Sequence, residues 1–95
     1  MSLSSIQNKH FRLSILRALD ALNYTSNDSI IKDSCARFGV KMSTDQVKTQ
    51  LGWLAEQGLV CNERQGNYII ATLTSRGQDV AQGISFVDGI QRPSA

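Results

Sequence analysis

Long apolar runs are missing from this sequence, and a membrane span would need about 20 consecutive apolar residues. The N-terminus also lacks the cationic and apolar regions of a signal peptide, so we expect a cytoplasmic protein. The chain has one proline and no repeat, low-complexity tract or linker. Its 95 residues, 41% hydrophobic and 19% charged, therefore suit one soluble globular domain.

Cysteine and histidine are too scarce and too scattered to indicate a metal site or a redox motif. Cys35 and Cys61 lie far apart and neither belongs to a CxxC pair, so we expect both to be small buried hydrophobic residues. No serine, cysteine or carboxylate is arranged with His10 as a catalytic set. The glycines, including Gly77 and Gly83, form no phosphate-binding loop. We expect no enzyme activity, no metal and no cofactor.

Charge of either sign is sparse and evenly spread. The chain has 10 basic and 8 acidic residues, a formal net charge of +2. No block of like charge stands out, which excludes a basic arm and a polybasic lipid-binding patch. Any nucleic-acid binding must therefore rely on a few well-placed groups.

Two amphipathic patterns predict the first two helices. The first covers residues 5–22 and the second follows a turn-like "NYTSND" segment, at residues 29–38. Gly39 is expected to end the second helix in a left-handed conformation. The apolar residues at helical spacing are Phe11, Ile15, Leu16, Leu19 and Leu22 in the first pattern, and Ile31, Cys35 and Phe38 in the second.

A capping box marks the start of the third helix, over residues 43–57. The Ser43 hydroxyl is expected to accept from the amide of Gln46, whose side chain reaches back to Ser43. Only three residues separate Gly39 from Ser43, and so short a turn between two helices predicts a helix-turn-helix. The inward residues are Val47, Leu51 and Leu54, and Gly58 ends the helix.

The apolar pattern then changes from a helical to a strand period. Residues 59–72 are rich in strand formers around a polar "ERQGN" turn, which predicts a β-hairpin. Thr74 is expected to cap a short helix that ends near Gly83. The fold class is therefore mainly α with a small β-hairpin, in a domain of residues 1–83. Residues 84–95 are expected to form an irregular tail that lies on the body or on a neighbouring subunit.

The segments "LGWLAEQGLV" and "ATLTSRG", with the hairpin between them, resemble the winged helix-turn-helix domain of the ArsR, MarR and PadR groups of bacterial regulators. In those groups a Leu-rich recognition helix ends in a Gly-Leu-Val step into the first wing strand, and the second strand leads to a Leu-Thr-x-x-Gly helix start. More narrowly, the chain is similar to small ArsR-like proteins of Mu-like prophages, whose closing segment resembles "GIQRPSA". Metal-sensing ArsR members carry paired cysteines on the recognition helix, and this helix has none.

The resemblance implies that the helix of residues 43–57 reads DNA, with its N-terminal part at base edges in the major groove. Helical geometry turns Asp45, Thr49, Gly52 and Glu56 outward. Gln suits adenine, Thr can reach a base or a thymine methyl, and Lys a guanine or a phosphate. The alternative is that these charged residues only solvate a surface helix and loop. The candidate DNA-binding residues are Lys41, Ser43, Thr44, Asp45, Gln46, Lys48, Thr49, Arg64, Gln65 and Asn67.

Large apolar residues outside the inward face raise the question of a protein interface. Trp53 covers either the hairpin or the edge of the core, or it anchors a partner, since large aromatic residues are enriched at interfaces. The resemblance implies dimerisation through the first helix and the C-terminal helix. Phe86 is also compatible with packing in its own subunit. The candidate interface residues are Phe11, Trp53, Phe86, Val87 and Ile90.

The sequence thus favours a homodimeric, sequence-specific DNA-binding protein that regulates transcription in a prophage or another mobile element. The alternative is a winged-helix module that docks a protein through the same surface and binds no DNA. The weak positive charge, the acidic Asp45 and Glu56, and an expected exposure of Trp53 motivate this alternative. A small-molecule effector cannot be named from the sequence.

Overall fold

A computed structural model describes residues 2–93, so Met1 and the last two residues of the predicted tail lie outside the described part. Within that part, four helices pack with one antiparallel sheet of three strands in the order β1-β3-β2. No helix among the described residues is long and apolar enough to cross a membrane. The elements are α1 (Leu3–Ala21), β1 (Thr25–Asn27), α2 (Asp28–Arg37), α3 (Thr44–Glu56), β2 (Val60–Gln65), β3 (Tyr68–Leu73) and α4 (Ser75–Ala81).

Side-chain caps explain why the helices start where they do. The predicted capping box of α3 is confirmed: the amide of Gln46 donates to Ser43 Oγ at 3.1 Å, and the amide of Ser43 donates to Gln46 Oε1 at 2.8 Å. Thr74 caps α4 as predicted, by accepting from the amide of Gly77. Gly39 follows the end of α2 with φ +85°, a left-handed conformation that glycine adopts without steric cost.

The sequence did not predict β1. Residues 25–27 were expected to be turn and cap, and Asn27 does cap α2, but the segment also pairs antiparallel with β3 from Thr25 opposite Thr72 to Asn27 opposite Ile70. A strand of three residues is too short for its alternation to be recognised. The chain reaches β3 through Asn23 and Tyr24, both at positive φ. The predicted hairpin is confirmed, with β2 and β3 in register from Val60–Leu73 to Gln65–Tyr68.

The core lies between the helices and the inner face of the sheet, and the predicted inward residues of α3 are confirmed as fully buried. Gly77 is where α4 meets the start of β2: a side-chain Cβ there would collide with the carbonyl oxygen of Leu59. The largest fully buried side chains are Ile15, Leu16, Leu19, Ile31, Cys35, Val47, Leu51, Leu54 and Leu59.

Two residues expected in the core are exposed instead. Cys35 is buried as predicted, but the prediction for Cys61 is wrong, because that side chain is exposed on β2. The preceding residue, Val60, is buried, so Cys61 points to the opposite face of the sheet, where its partner Thr72 is also exposed. Phe38 is 80% exposed. It follows the last residue of α2, Arg37, and therefore does not continue the apolar face of that helix.

The segment after α4 returns along α1. Its backbone is irregular over the described residues, and Ile90 is buried in the core. Arg12 donates to the carbonyl oxygen of Gly89 at 2.9 Å, and the amide of Gln91 donates to the carbonyl oxygen of Lys9 at 3.2 Å. The tail therefore packs on the body of its own chain.

Candidate nucleic-acid interface

The inner face of α3 fixes the direction in which its outer face points. Beside its apolar residues it buries Gln50, which is 5% exposed. Gln50 Oε1 accepts from Arg12 Nε at 2.8 Å, and Gln50 Nε2 donates to Asn8 Oδ1 at 3.2 Å. Buried polar groups need such partners, so these bonds fix the rotation of α3 about its own axis relative to α1. The sequence gives no signal for Gln50, because its partners are about forty positions away.

The outer face of α3 is open to solvent, as the helical geometry predicted. Apart from the nearby backbone of α3 and the two neighbours of Gly52, no atom of the described residues lies within 4 Å of the position a Cβ would take at Gly52, in the middle of this face. Ser43 Oγ and Gln46 Oε1 are occupied by the capping box, which leaves the two N–H donors of the Gln46 amide group for an outside partner. The exposed residues of this face are Thr44, Asp45, Gln46, Thr49, Gly52 and Glu56.

The hairpin tip is a second exposed surface beside α3. Gly66 and Asn67 connect the strands, and Gly66 has φ +60° at the first turn position, as two-residue type II′ turns require. Arg64, Gln65 and Asn67 are all exposed. Near the base of the hairpin, Asn62 Nδ2 donates to the carbonyl oxygen of Leu51 at 2.9 Å and ties β2 to α3.

Lys48 connects the helix to the hairpin tip. Its ammonium donates to the carbonyl oxygen of Asn67 at 2.9 Å and lies 3.7 Å from Asp28 Oδ2. Asp28 is 2% exposed at the start of α2, where Oδ1 accepts from the amide of Ser29 and Oδ2 has no hydrogen-bond partner among the described residues. Lys48, a predicted DNA contact, is held by two groups of its own chain, and its side chain is 31% exposed. Sequence reasoning missed Asp28, which is twenty positions away on another helix.

The charges that remain free on this surface are few and mixed. Lys41, which precedes α3, and Arg64 at the hairpin tip are exposed cations. Asp45 and Glu56 of α3 and Glu63 of β2 are exposed acids on the same surface. Any charged contact with phosphates from this surface would therefore depend on Lys41 and Arg64.

Trp53 covers the edge of the core beneath the tail. It is half-buried, and the guanidinium of Arg12 lies 3.8 Å from its ring centroid, within cation–π range. Burial lowers the pKa of the Arg12 guanidinium, which remains a cation at any ordinary pH. Gly89 packs on the ring so closely that a Cβ there would lie 2.9 Å from Trp53 Cζ2.

The other predicted interface residues divide into two groups. Phe11 and Ile90, each 7% exposed, belong to the core of their own chain, because the tail folds back over α1. Both residues were predicted as dimer contacts, and in the single chain they offer little exposed surface to a second subunit. Val87 is half-buried against the core, whereas Phe86 is 57% exposed with the Arg92 guanidinium 4.3 Å from its ring centroid.

Comparison with known proteins identifies two relatives and no matching family model or solved structure. The chain is 44% identical over 91 residues to gp26 of Escherichia phage Mu, an uncharacterized protein, which covers 96% of this chain and 95% of gp26. It is 40% identical over 77 residues to an uncharacterized protein of Haemophilus influenzae, which covers 80% of this chain and 76% of the relative. The predicted similarity to proteins of Mu-like phages is thereby confirmed. The chain belongs to the family of proteins related to phage Mu gp26.

Proposed function

We propose that this protein is a winged-helix DNA-binding protein that acts as a homodimer in the transcriptional control of a phage or other mobile element. The helix-strand-helix-helix-hairpin-helix order and the strand order β1-β3-β2 support a winged-helix architecture, with α3 as the recognition helix and the β2-β3 hairpin as the wing. The relation to a phage Mu protein supports the mobile-element context.

The observation that carries the proposal is the free N-terminal half of α3 beside the hairpin tip. Thr44, Asp45, Gln46 and Thr49 are exposed in a helix whose inner face is fixed by the core and by Gln50. The Lys48–Asn67 hydrogen bond holds the hairpin tip to the middle of the same helix. Helix and hairpin therefore form one surface that can approach a duplex as a unit.

The side chains on this surface suit contacts with base edges. The N–H donors of Gln46 can pair with an acceptor such as adenine N7, and the hydroxyl or methyl of Thr44 and Thr49 can meet a base edge or a thymine methyl. Gln65 and Asn67 supply neutral donors for phosphate or sugar oxygens.

Electrostatics make a dimer necessary for useful affinity. Each subunit offers Lys41 and Arg64 to phosphates, so a dimer would neutralise four. Each neutralised phosphate contributes about −0.9 to the slope of log Kobs against log salt, which gives about −3.6 for the dimer. Two α3 helices about 34 Å apart would enter successive major grooves on one side of a roughly palindromic site.

The experiment measures binding to overlapping duplexes that cover the DNA around the protein's own gene, by fluorescence anisotropy over a range of salt. The variant Lys41→Gln/Arg64→Gln should lose most of its affinity. The matched control Arg17→Gln/Arg92→Gln removes the same charge from exposed residues of α1 and the tail, and it should bind like the wild type. Equal binding by all three proteins would contradict the proposal.

A protein-docking role for the same surface is the second candidate. The internal use of Lys48 and the exposed acids Asp45 and Glu56 favour it, because they weaken attraction to phosphates. In that case Asp45→Asn/Glu56→Gln should abolish capture of a protein partner from cell extract. The same substitutions should strengthen binding if the partner is DNA, so one pair of substitutions separates the two functions.

A further inference from the structure

A groove on the side of α1 and α2 has no role in the proposed DNA contact. It has a volume of about 480 Å³, within the range of about 300–1,000 Å³ that is usual for sites of small molecules. One side is α1, the other is the end of α2 with the following turn, and Gln91 and Arg92 of the tail contribute to the lining.

The floor of the groove is apolar. Leu13 and Ala18 of α1 and Cys35 of α2 line it, and all three belong to the buried core. Burial raises the pKa of the Cys35 thiol to about 11, so at neutral pH it is an uncharged, apolar part of the floor. Phe38 forms a wall and is 80% exposed, so an apolar occupant would remove most of an aromatic ring from water.

The polar residues of the groove are cationic or neutral. Arg17 and Arg92 line it together with His10, Ser14 and Gln91, and no aspartate or glutamate does. The one ion pair among the described residues is Lys48–Asp28, elsewhere in the fold, so neither arginine has a carboxylate partner within residues 2–93. Arg92 instead stacks on Phe86. The groove therefore combines an apolar floor with unneutralised positive charge.

We propose that this groove binds a small organic anion with an apolar body and a single acid group. The body lies on Leu13, Ala18 and Phe38, and the acid group pairs with Arg17 and Arg92, whose guanidinium groups suit a carboxylate. The Cys35 thiol is a contact and not a nucleophile. This site goes beyond the proposed function and does not depend on DNA binding.

The probes are octanoate, octanol and octylamine, which share one apolar body and differ in charge. Displacement of the fluorescent dye anilinonaphthalene sulfonate reports binding to the full chain. Octanoate should bind more tightly than octanol, and octylamine more weakly than both. Equal affinities for the three would overturn the proposal, because they would show apolar contact without recognition of an anion.

Two sets of substitutions locate the site. Arg17→Gln/Arg92→Gln should weaken octanoate by about fivefold and leave octanol unchanged, as expected for partly exposed charge pairs. Its matched control is Arg37→Gln/Arg64→Gln, which removes two exposed arginines that do not line the groove. Phe38→Ala should weaken both probes by about tenfold through the lost apolar contact, whereas Tyr68→Ala, an exposed aromatic residue of the hairpin, should weaken neither.

The competing occupant is a second copy of the chain. Light scattering coupled to size-exclusion chromatography distinguishes a bound anion from a second copy. A dimer formed through the groove would become monomeric in Phe38→Ala, and octanoate would not dissociate the wild-type dimer. That result would overturn the proposal. An oligomeric state unchanged by Phe38→Ala, together with the loss of octanoate binding, supports it whether or not the protein binds DNA.

Discussion

The ammonium nitrogen of Lys48 lies 3.7 Å from Oδ2 of Asp28, and the same ammonium donates to the carbonyl oxygen of Asn67 at the hairpin tip. One side chain of α3 thus connects the start of α2 with the hairpin. Since Asp28 is 2% exposed, its carboxylate depends on this cation for charge compensation.

Removal of the Lys48 charge should destabilise the fold. Lys48→Met keeps a long apolar side chain but leaves the Asp28 carboxylate buried without a cation. We expect a loss of about 1–3 kcal/mol in the free energy of unfolding. Urea denaturation measures it, with Lys41→Met, at an exposed lysine, as the control that should stay within about 0.5 kcal/mol of the wild type. Equal stability of the two variants would show that the Lys48–Asp28 pair contributes little.

Neutralisation of Asp28 should release Lys48 toward DNA. Asp28→Asn keeps the shape of the side chain and removes the charge that holds the ammonium. With Lys48 added to Lys41 and Arg64 on both subunits, the slope of log Kobs against log salt should change from about −3.6 to about −5.4. Anisotropy titrations over several salt concentrations measure this slope. An unchanged slope would mean that Lys48 stays on Asn67 or already binds phosphate in the wild type.

Two glycines should respond to alanine in opposite ways. Gly77→Ala should destabilise the protein by about 2 kcal/mol or more, because its Cβ would meet the carbonyl oxygen of Leu59 and force α4 away from β2. Gly52→Ala should stabilise it by about 1 kcal/mol, because a helical glycine with open space around it costs more backbone entropy than alanine. Thermal or urea denaturation measures the free energy of unfolding of both variants. Equal effects of the two substitutions would contradict the close packing at Gly77 and the open space at Gly52.

The two cysteines should differ in reactivity. Exposed Cys61 should react with Ellman's reagent at neutral pH at the rate of an ordinary thiol, whereas buried Cys35 should react only on unfolding. Burial raises the pKa of Cys35 from 9.0 to about 11, so the folded state holds its thiol proton more tightly than the unfolded state. The resulting stabilisation is complete below about pH 9 and is lost as the pH rises toward about 11.

The variants Cys61→Ser and Cys35→Ala separate these effects. Cys61→Ser should abolish the fast reaction. Cys35→Ala should remove the part of the stability loss between about pH 9 and 11 that belongs to this thiol. A fast reaction that persists in Cys61→Ser would show that Cys35 is accessible in the folded protein.

The sequence predicted the elements that are determined by residues close together in the chain. The α3 cap depends on Ser43 and Gln46, three positions apart, and the end of α2 on Gly39, so both could be read from short segments. The hairpin was predicted from residues that are close in sequence, whereas β1 depends on an edge of β3 about forty-five positions away.

The contacts and burial that the sequence missed have the same origin. Lys48 was placed correctly on α3, but the partners that occupy it come from α2 and the hairpin turn, which the sequence cannot bring together. Phe11 follows the helical pattern and is buried, whereas the tail has no periodicity from which the burial of Ile90 in the core could be predicted. Cys61 lies on a strand with the right composition, but it follows buried Val60 and therefore points to the exposed face of the sheet, opposite Thr72.

The most direct test of the account is the salt dependence of DNA binding by the wild type beside Lys41→Gln/Arg64→Gln and Arg17→Gln/Arg92→Gln. We predict a wild-type slope of log Kobs against log salt of about −3.6, lost affinity in the first variant and full affinity in the second. Binding that ignores ionic strength, or equal affinity of the three proteins, would contradict the claim that α3 and the hairpin form a DNA-binding surface.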